Sequence, residues 1–231
     1  MTRGFLWLML IIPITCKALV IEPLVLEMNR QQQGQIIISN PTAQPLAVDT
    51  QVLEIDFAQA VALLEADDAL LVYPPAVLLQ PGAKQSIRLI WQVAGTMDRS
   101  RSFYIRFTTP KINVVTEPST SRVDVQIDYN ALIHIADKQH RPIIAIADQY
   151  VESQSLVVKV ENQGSGYDSL VNYTLTDTSS KPVIAQLADS VGNVFFPPMS
   201  TSHLRIPLVE LDSSFNFSAP LTLKRTSPIK D

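Results

Sequence analysis

The chain has 231 residues, 46% of them apolar and 17% charged, with a formal net charge of -4. That apolar content excludes a disordered chain and suits one large domain or two of about 100 residues each, while so slight a charge excludes a field that would draw the whole molecule onto nucleic acid or an anionic membrane. Gly is sparse at 7 and Pro frequent at 16, and short apolar runs set between Pro, Asn, Asp and Ser predict an all-β protein.

Residues 1–18 read as a secretory signal. Arg3 supplies the positive start, and the apolar run 5–14 is too short to span a bilayer comfortably. Cys16-Lys17-Ala18 places the cut after Ala18. A retained membrane anchor is the alternative. Lipid attachment at Cys16 is disfavoured, because Thr15 stands where a Gly or Ala is wanted. With the cut after Ala18 the only Cys is lost, and the exported chain has no disulfide, no Cys-ligated metal and no Cys nucleophile.

Residues 19–28 form a first extended segment; Pro23 inside it lacks a ladder donor, which places the strand at an edge or at a switch between sheets. Gln31-Gln32-Gln33-Gly34 reads as a turn, 35–39 as a buried strand built on Ile36, Ile37 and Ile38, and Asn40-Pro41 as its end. Residues 46–55 alternate as a strand. The Ala- and Leu-rich stretch 57–68 fits a short helix or a long loop equally well. Beyond it, Tyr73-Pro74-Pro75 separates two short strands and Pro81-Gly82 makes a tight turn, Pro fixing φ and Gly accepting a positive one. Residues 86–91 return to a sheet with Ile87, Leu89 and Trp91 on one face and Arg88 on the other. In 103–108, Phe103, Ile105 and Phe107 point inward, Tyr104 and Arg106 outward. Residues 110–122 are a polar connection.

Residues 123–129 alternate strictly: Val123, Val125, Ile127 and Tyr129 point one way, Asp124, Gln126 and Asp128 the other. Such a row either buries itself in its own core or serves another protein. About seven strands precede residue 137, the size and count of an immunoglobulin-like sandwich. The polar stretch 137–142 reads as a hinge. Short strands follow at 143–147, 156–160, 170–175, 183–187, 194–196, 203–208 and 221–224, with turns at 162–166 and 196–200. The organisation expected is a leader (1–18), an N-terminal domain (19–137) and a C-terminal domain (138–231): two immunoglobulin-like β-sandwiches in tandem.

In order and spacing, these pieces resemble the periplasmic pilus (fimbrial) chaperones of the chaperone–usher pathway. The resemblance rests on Ile38-Ser39-Asn40 before a Pro turn, Tyr73-Pro74-Pro75, Leu79-Gln80-Pro81-Gly82, Ile87-Arg88-Leu89, Phe103-Tyr104, the alternating 123–129 strand, and Phe196-Pro197-Pro198-Met199-Ser200. The string 125–133 is most similar to the alternative branch, which assembles thin coli-surface-antigen-type fimbriae. The resemblance implies two sandwiches set at an angle. It implies a protein that caps pilin subunits lacking their last strand, by donor-strand complementation, and delivers them to an outer-membrane usher. Val123, Val125, Ile127 and Tyr129 would be the donor side chains. It implies no cofactor, no nucleic acid and no stable membrane insertion, and leaves open a dimer that caps itself when free.

Many such chaperones grip the subunit's C-terminal carboxylate with an Arg on the first strand and a Lys near the end of the donor strand. This chain has neither, so His134 and Arg106 are the candidates for the anchor. A His is mostly uncharged at neutral pH, and a partly buried His134 with no ligand is the plainer alternative. The resemblance also implies an inter-domain ion pair, here Arg88 with Asp212; the alternative is an exposed Arg worth little. Enzyme chemistry finds no foothold: the 3 His have no metal spacing, and there is no nucleophile elbow or phosphate-cradling loop. The competing reading is a secreted structural or adhesive β-sandwich protein of a fimbria.

Overall fold

The computed structural model describes residues 19–56, 62–65, 68–110, 127–184, 187–211, 215–217 and 219–226, of which 56 and 62–65 by backbone alone. Residues 1–18, Val123, Val125, Asp212 and most of the 110–122 connection lie outside these. Among the described residues no helix is long and apolar enough to cross a membrane.

The first half folds as two sheets face to face. One has the order β1-β3-β8-β6, from β1 (Val20–Glu22), β3 (Gln33–Ser39), β6 (Leu70–Tyr73) and β8 (Lys84–Trp91). The other has the order β2-β10-β9-β4-β5, from β2 (Val25–Met28), β4 (Leu46–Asp56), β5 (Ala62–Glu65), β9 (Arg101–Thr108) and β10 (Asp128–Ile135), with β7 (Ala76–Leu79) on the start of β4. This is the strand arrangement of an immunoglobulin-like sandwich. Each strand turns its alternate apolar residues inward, and Ile36, Ile38, Ile87, Leu89, Phe103, Ile105, Phe107, Ala131, Ile133 and Ile135 are fully buried between the sheets.

The chain changes sheets at Pro23-Leu24, as the Pro predicted: β1 pairs antiparallel with β3, and β2 crosses over to pair parallel with β10. The stretch at 57–68, left open between helix and loop, instead contains β5, which extends the sheet from the far end of β4. Gly34 lies within β3, not in a turn. A Cβ there would come within 2.8 Å of Leu26 and 3.0 Å of Met28, so this Gly serves close packing of the crossing strand.

The second half gathers around its own buried cluster, including Leu156, Val158, Leu170, Leu175, Phe196, Leu204 and Ile206. Its main sheet is β11 (Ile144–Glu152), β12 (Ser155–Asn162) and β16 (Ser200–Pro207). Two small sheets complete it: β13 (Asp168–Ser169) with β15 (Phe195–Phe196), and β14 (Tyr173–Thr176) with β17 (Thr222–Arg225). Two expected strands are corrected. Leu170–Asn172 is a turn of 3₁₀ helix before β14, and Leu187, the last residue of the expected 183–187 strand, opens a short helix, α1 (Leu187–Val191). The predicted turns at 162–166 and 196–200 are pinned together by Asn162. Its buried amide donates to the carbonyls of Gly166 (2.8 Å), Phe196 (3.1 Å) and Pro197 (2.9 Å).

The link between the halves is held from both sides. Arg30 beside β2 pairs with Asp137 at 2.5 Å, and the 162–166 turn presses glycine against the link. A Cβ on Gly164 would stand 2.2 Å from the Arg141 carbonyl oxygen and 2.5 Å from the Ile143 nitrogen. Gly164→Ala must therefore move backbone, and we expect it to cost on the order of 2–3 kcal/mol in urea unfolding. Gly82→Ala, where φ is +74° but space is open, should cost about 1 kcal/mol.

Candidate functional site at an open strand edge

β10 is paired unequally on its two sides. On one side β9 follows it over its whole length, from Asp128–Thr108 to Ile135–Arg101. On the other, β2 covers it only from Leu132 to Ile135, and the last bond runs from the Leu132 N–H to the Leu24 carbonyl at 2.8 Å. Among the described residues no strand pairs with Tyr129–Ala131 on that side. By the strand period, the backbone N–H and C=O of Asn130 point the same way as the Leu132 N–H, toward that open side.

The apolar row of β10 emerges from the sandwich here. Ile135, Ile133 and Ala131 are fully buried; Tyr129, two residues back, is only partly buried against the same core; Ile127 is 48% exposed. Tyr129 and Ile127 thus continue the core-facing row beyond the core. The outer members of the predicted row, Val123 and Val125, fall outside the described residues. Beside the opening, Leu24 and Val25 are 58% and 54% exposed. The sequence reading missed them, although apolar residues on a strand placed at an edge by Pro23 were the signal.

His134 lies on the opposite face of β10 and is 4% exposed. Its Nδ1 is 2.8 Å from the Ser102 hydroxyl on β9, and Glu27 on β2 is its neighbour across the parallel pair. From the second domain, Tyr167 and Phe195 stack on it with centroids at 4.0 and 4.6 Å. Burial lowers its pKa to about 4, against a smaller upward pull from Glu27. His134 is therefore uncharged at neutral pH. Tyr167 is hydrogen-bonded to Glu27, and burial together with that carboxylate holds its hydroxyl well above the ordinary range.

Arg106 shares the outward face of the sheet with His134 but sits four residue pairs further along β9, roughly 13 Å from Ser102. It lies between Gln51 on β4 and Asn130 on β10, half-buried, and its Nε is buried without a hydrogen-bond partner among the described residues. The two candidate anchors are not brought together. Arg88 is exposed on the outer face of the other sheet, flanked by Gln35 and Tyr73. Among the described residues no three His, Cys, Asp or Glu side chains gather as metal ligands would.

Solved structures share this architecture. A chain of the CsuC–CsuE chaperone–tip adhesion subunit pre-assembly complex from archaic chaperone–usher Csu pili of Acinetobacter baumannii matches with a TM-score of 0.56 and 14% identity, covering 86% of this chain and 94% of that one. The class 5 fimbriae chaperone CfaA matches with a TM-score of 0.54 and 15% identity, over 92% of this chain and all 100% of its own. A chain of the Salmonella enterica SafA pilin–SafB chaperone complex matches with a TM-score of 0.53 and 18% identity, over 82% and 84%. These likenesses span several fimbrial types and establish the fold. Among curated protein sequences none matches. The model of the pili and flagellar-assembly chaperone family, PapD N-terminal domain, matches residues 18–135, from before β1 to the end of β10, and the chain belongs to that family of assembly chaperones.

Proposed function

We propose that this protein caps fimbrial subunits in the periplasm by lending them a strand, and passes them to an outer-membrane usher. The supporting observation is the apolar row of β10 leaving its own core beside a side on which no described strand pairs Tyr129–Ala131. A subunit short of one strand exposes an apolar groove and two unpaired edges, both aggregation hazards. The residues before and along β10 would supply backbone partners to the edges and plug the groove with Val123, Val125, Ile127 and Tyr129. Leu24 and Val25 would form the shoulder on which the subunit rests. The leader-like residues 1–18 and the chain's membership of the family support periplasmic placement.

The test is a fimbrial subunit prepared in two forms, one lacking its last strand and one with a strand fused back in place. A stable one-to-one complex with the first form only is the expected result. Equal binding of both forms, or of neither, overturns the reading.

Arg106 is the cation we assign to the subunit's terminal carboxylate, because His134 is buried and neutral while the Arg106 Nε has no partner among the described residues. Arg106→Ala should weaken capture by about tenfold, the scale of one hydrogen bond to a charged group. Amidating the subunit's C-terminus should weaken capture by the wild type similarly and leave the variant unchanged. Additive losses in the calorimetric titration would exclude the contact.

A further inference from the structure

We infer that His134 positions the second domain against the first, through an uncharged three-ring contact, and does not touch the subunit. Three observations carry this. The ring is carried by β10 of the first domain, yet the two rings it stacks on, Tyr167 and Phe195, belong to the second, with planes inclined by only 21° and 22°. Those two rings also contact each other, at 5.5 Å between centroids, so the three close as one cluster. The cluster is fastened to the first domain on both flanks of His134: Ser102 on β9 bonds its Nδ1, and Glu27 on β2 takes the hydrogen bond of Tyr167. The backbone repeats the join one step away. The Tyr167 N–H donates to the Ser100 hydroxyl at 3.0 Å, and the Ser100 N–H to the Ser165 carbonyl at 2.9 Å.

The second domain is thereby fixed relative to β10 at the buried end of the strand whose other end is open. A ring contact of this kind works through shape and desolvation, so added salt leaves it unchanged, whereas a solvent-facing ion pair weakens within a Debye length of about 3 Å at 1 M salt. His134 is a positioning residue in this scheme. Its effect on a subunit passes through the placement of the second domain.

The experiment measures the relative orientation of the domains in the whole chain, by residual dipolar couplings, for the wild type, Phe195→Ala, His134→Ala and His134→Phe. Phe195→Ala removes only the second domain's half of the contact, so it remains decisive even where a change on β10 prevents folding. We expect both Ala variants to shift the mean orientation and to let the domains tumble with separate correlation times, with amide shifts away from the junction unchanged. His134→Phe, which keeps an uncharged ring, should hold the wild-type orientation, as should the wild type in about 1 M salt. Wild-type couplings in Phe195→Ala, or an orientation that changes with salt, would overturn the inference. So would a His134→Phe variant that keeps the orientation but loses a subunit retained by the wild type. The orientation measurement needs no subunit, so it stands or falls separately from the capping reading on which the last comparison rests.

Discussion

Replacing Val125 and Ile127 together by Glu is expected to abolish capture of a strand-deficient subunit, by a factor of about a hundred or more, and to leave the unfolding midpoint of the free chain where it was. Each apolar side chain seated in a groove contributes roughly 1.5–3 kcal/mol before the costs of association, so losing two removes about 3–6 kcal/mol. The carboxylates add a desolvation cost that the groove cannot repay. The free chain should tolerate the change because Ile127 already stands 48% in water, whereas Ile133, on the same row, is fully buried. Ile133→Glu is therefore the matched control and should unfold the first domain. Co-purification with the subunit and urea unfolding of the free chain read the two effects apart. A midpoint that falls in step with capture would assign the outer row to the protein's own core.

Acid should destabilise the free chain through His134. The imidazole's pKa is about 4 in the folded chain against an ordinary 6.5. Between those values the unfolded chain takes up a proton that the folded chain refuses, so stability rises with pH. The contribution is complete above about pH 7, is lost progressively as pH falls from 6.5 toward 4, and changes no further below that. The full span corresponds to about 3 kcal/mol. The groups facing the ring set its size: Glu27 on β2 favours the charged form, and the uncharged Ser102, Tyr167 and Phe195 around it do not compensate for the water they exclude. Chemical denaturation across this range should show a slope that His134→Phe flattens. An unchanged slope in that variant would move the acid sensitivity to other groups.

Much of the first sandwich was legible because its strands bury one face each. The inward row Phe103, Ile105, Phe107 and the split between Ile87, Leu89, Trp91 and Arg88 follow from alternation alone. Alternation also singles out the 123–129 row, but whether a row is covered or open depends on how far the partner strand runs along it, and Pro23 marks the crossing of the first strand without showing which strand it crosses to. The run Gln31-Gln32-Gln33-Gly34 suggests a turn because glycine usually supplies φ freedom. Here it supplies room for Leu26 and Met28. The second domain was harder, since its elements are short: the 3₁₀ turn at Leu170–Asn172 and the helix at Leu187–Val191 are too brief for a period to declare itself. The role of His134 could not be read locally, because Tyr167 and Phe195, which enclose it, lie far along the chain and on the other domain.

The crossing of the first strand has one further consequence. Because the chain comes alongside β10 at Leu24 and β2 runs on to Met28, it would work as an end-stop. In the capping complex proposed above, a foreign strand laid along β10 would advance from the free end only until it met that barrier. The advance of every guest would then end at the same residue, and a register slipped one position past it, which would turn each of its side chains to the wrong face, would be refused by the backbone of the host itself.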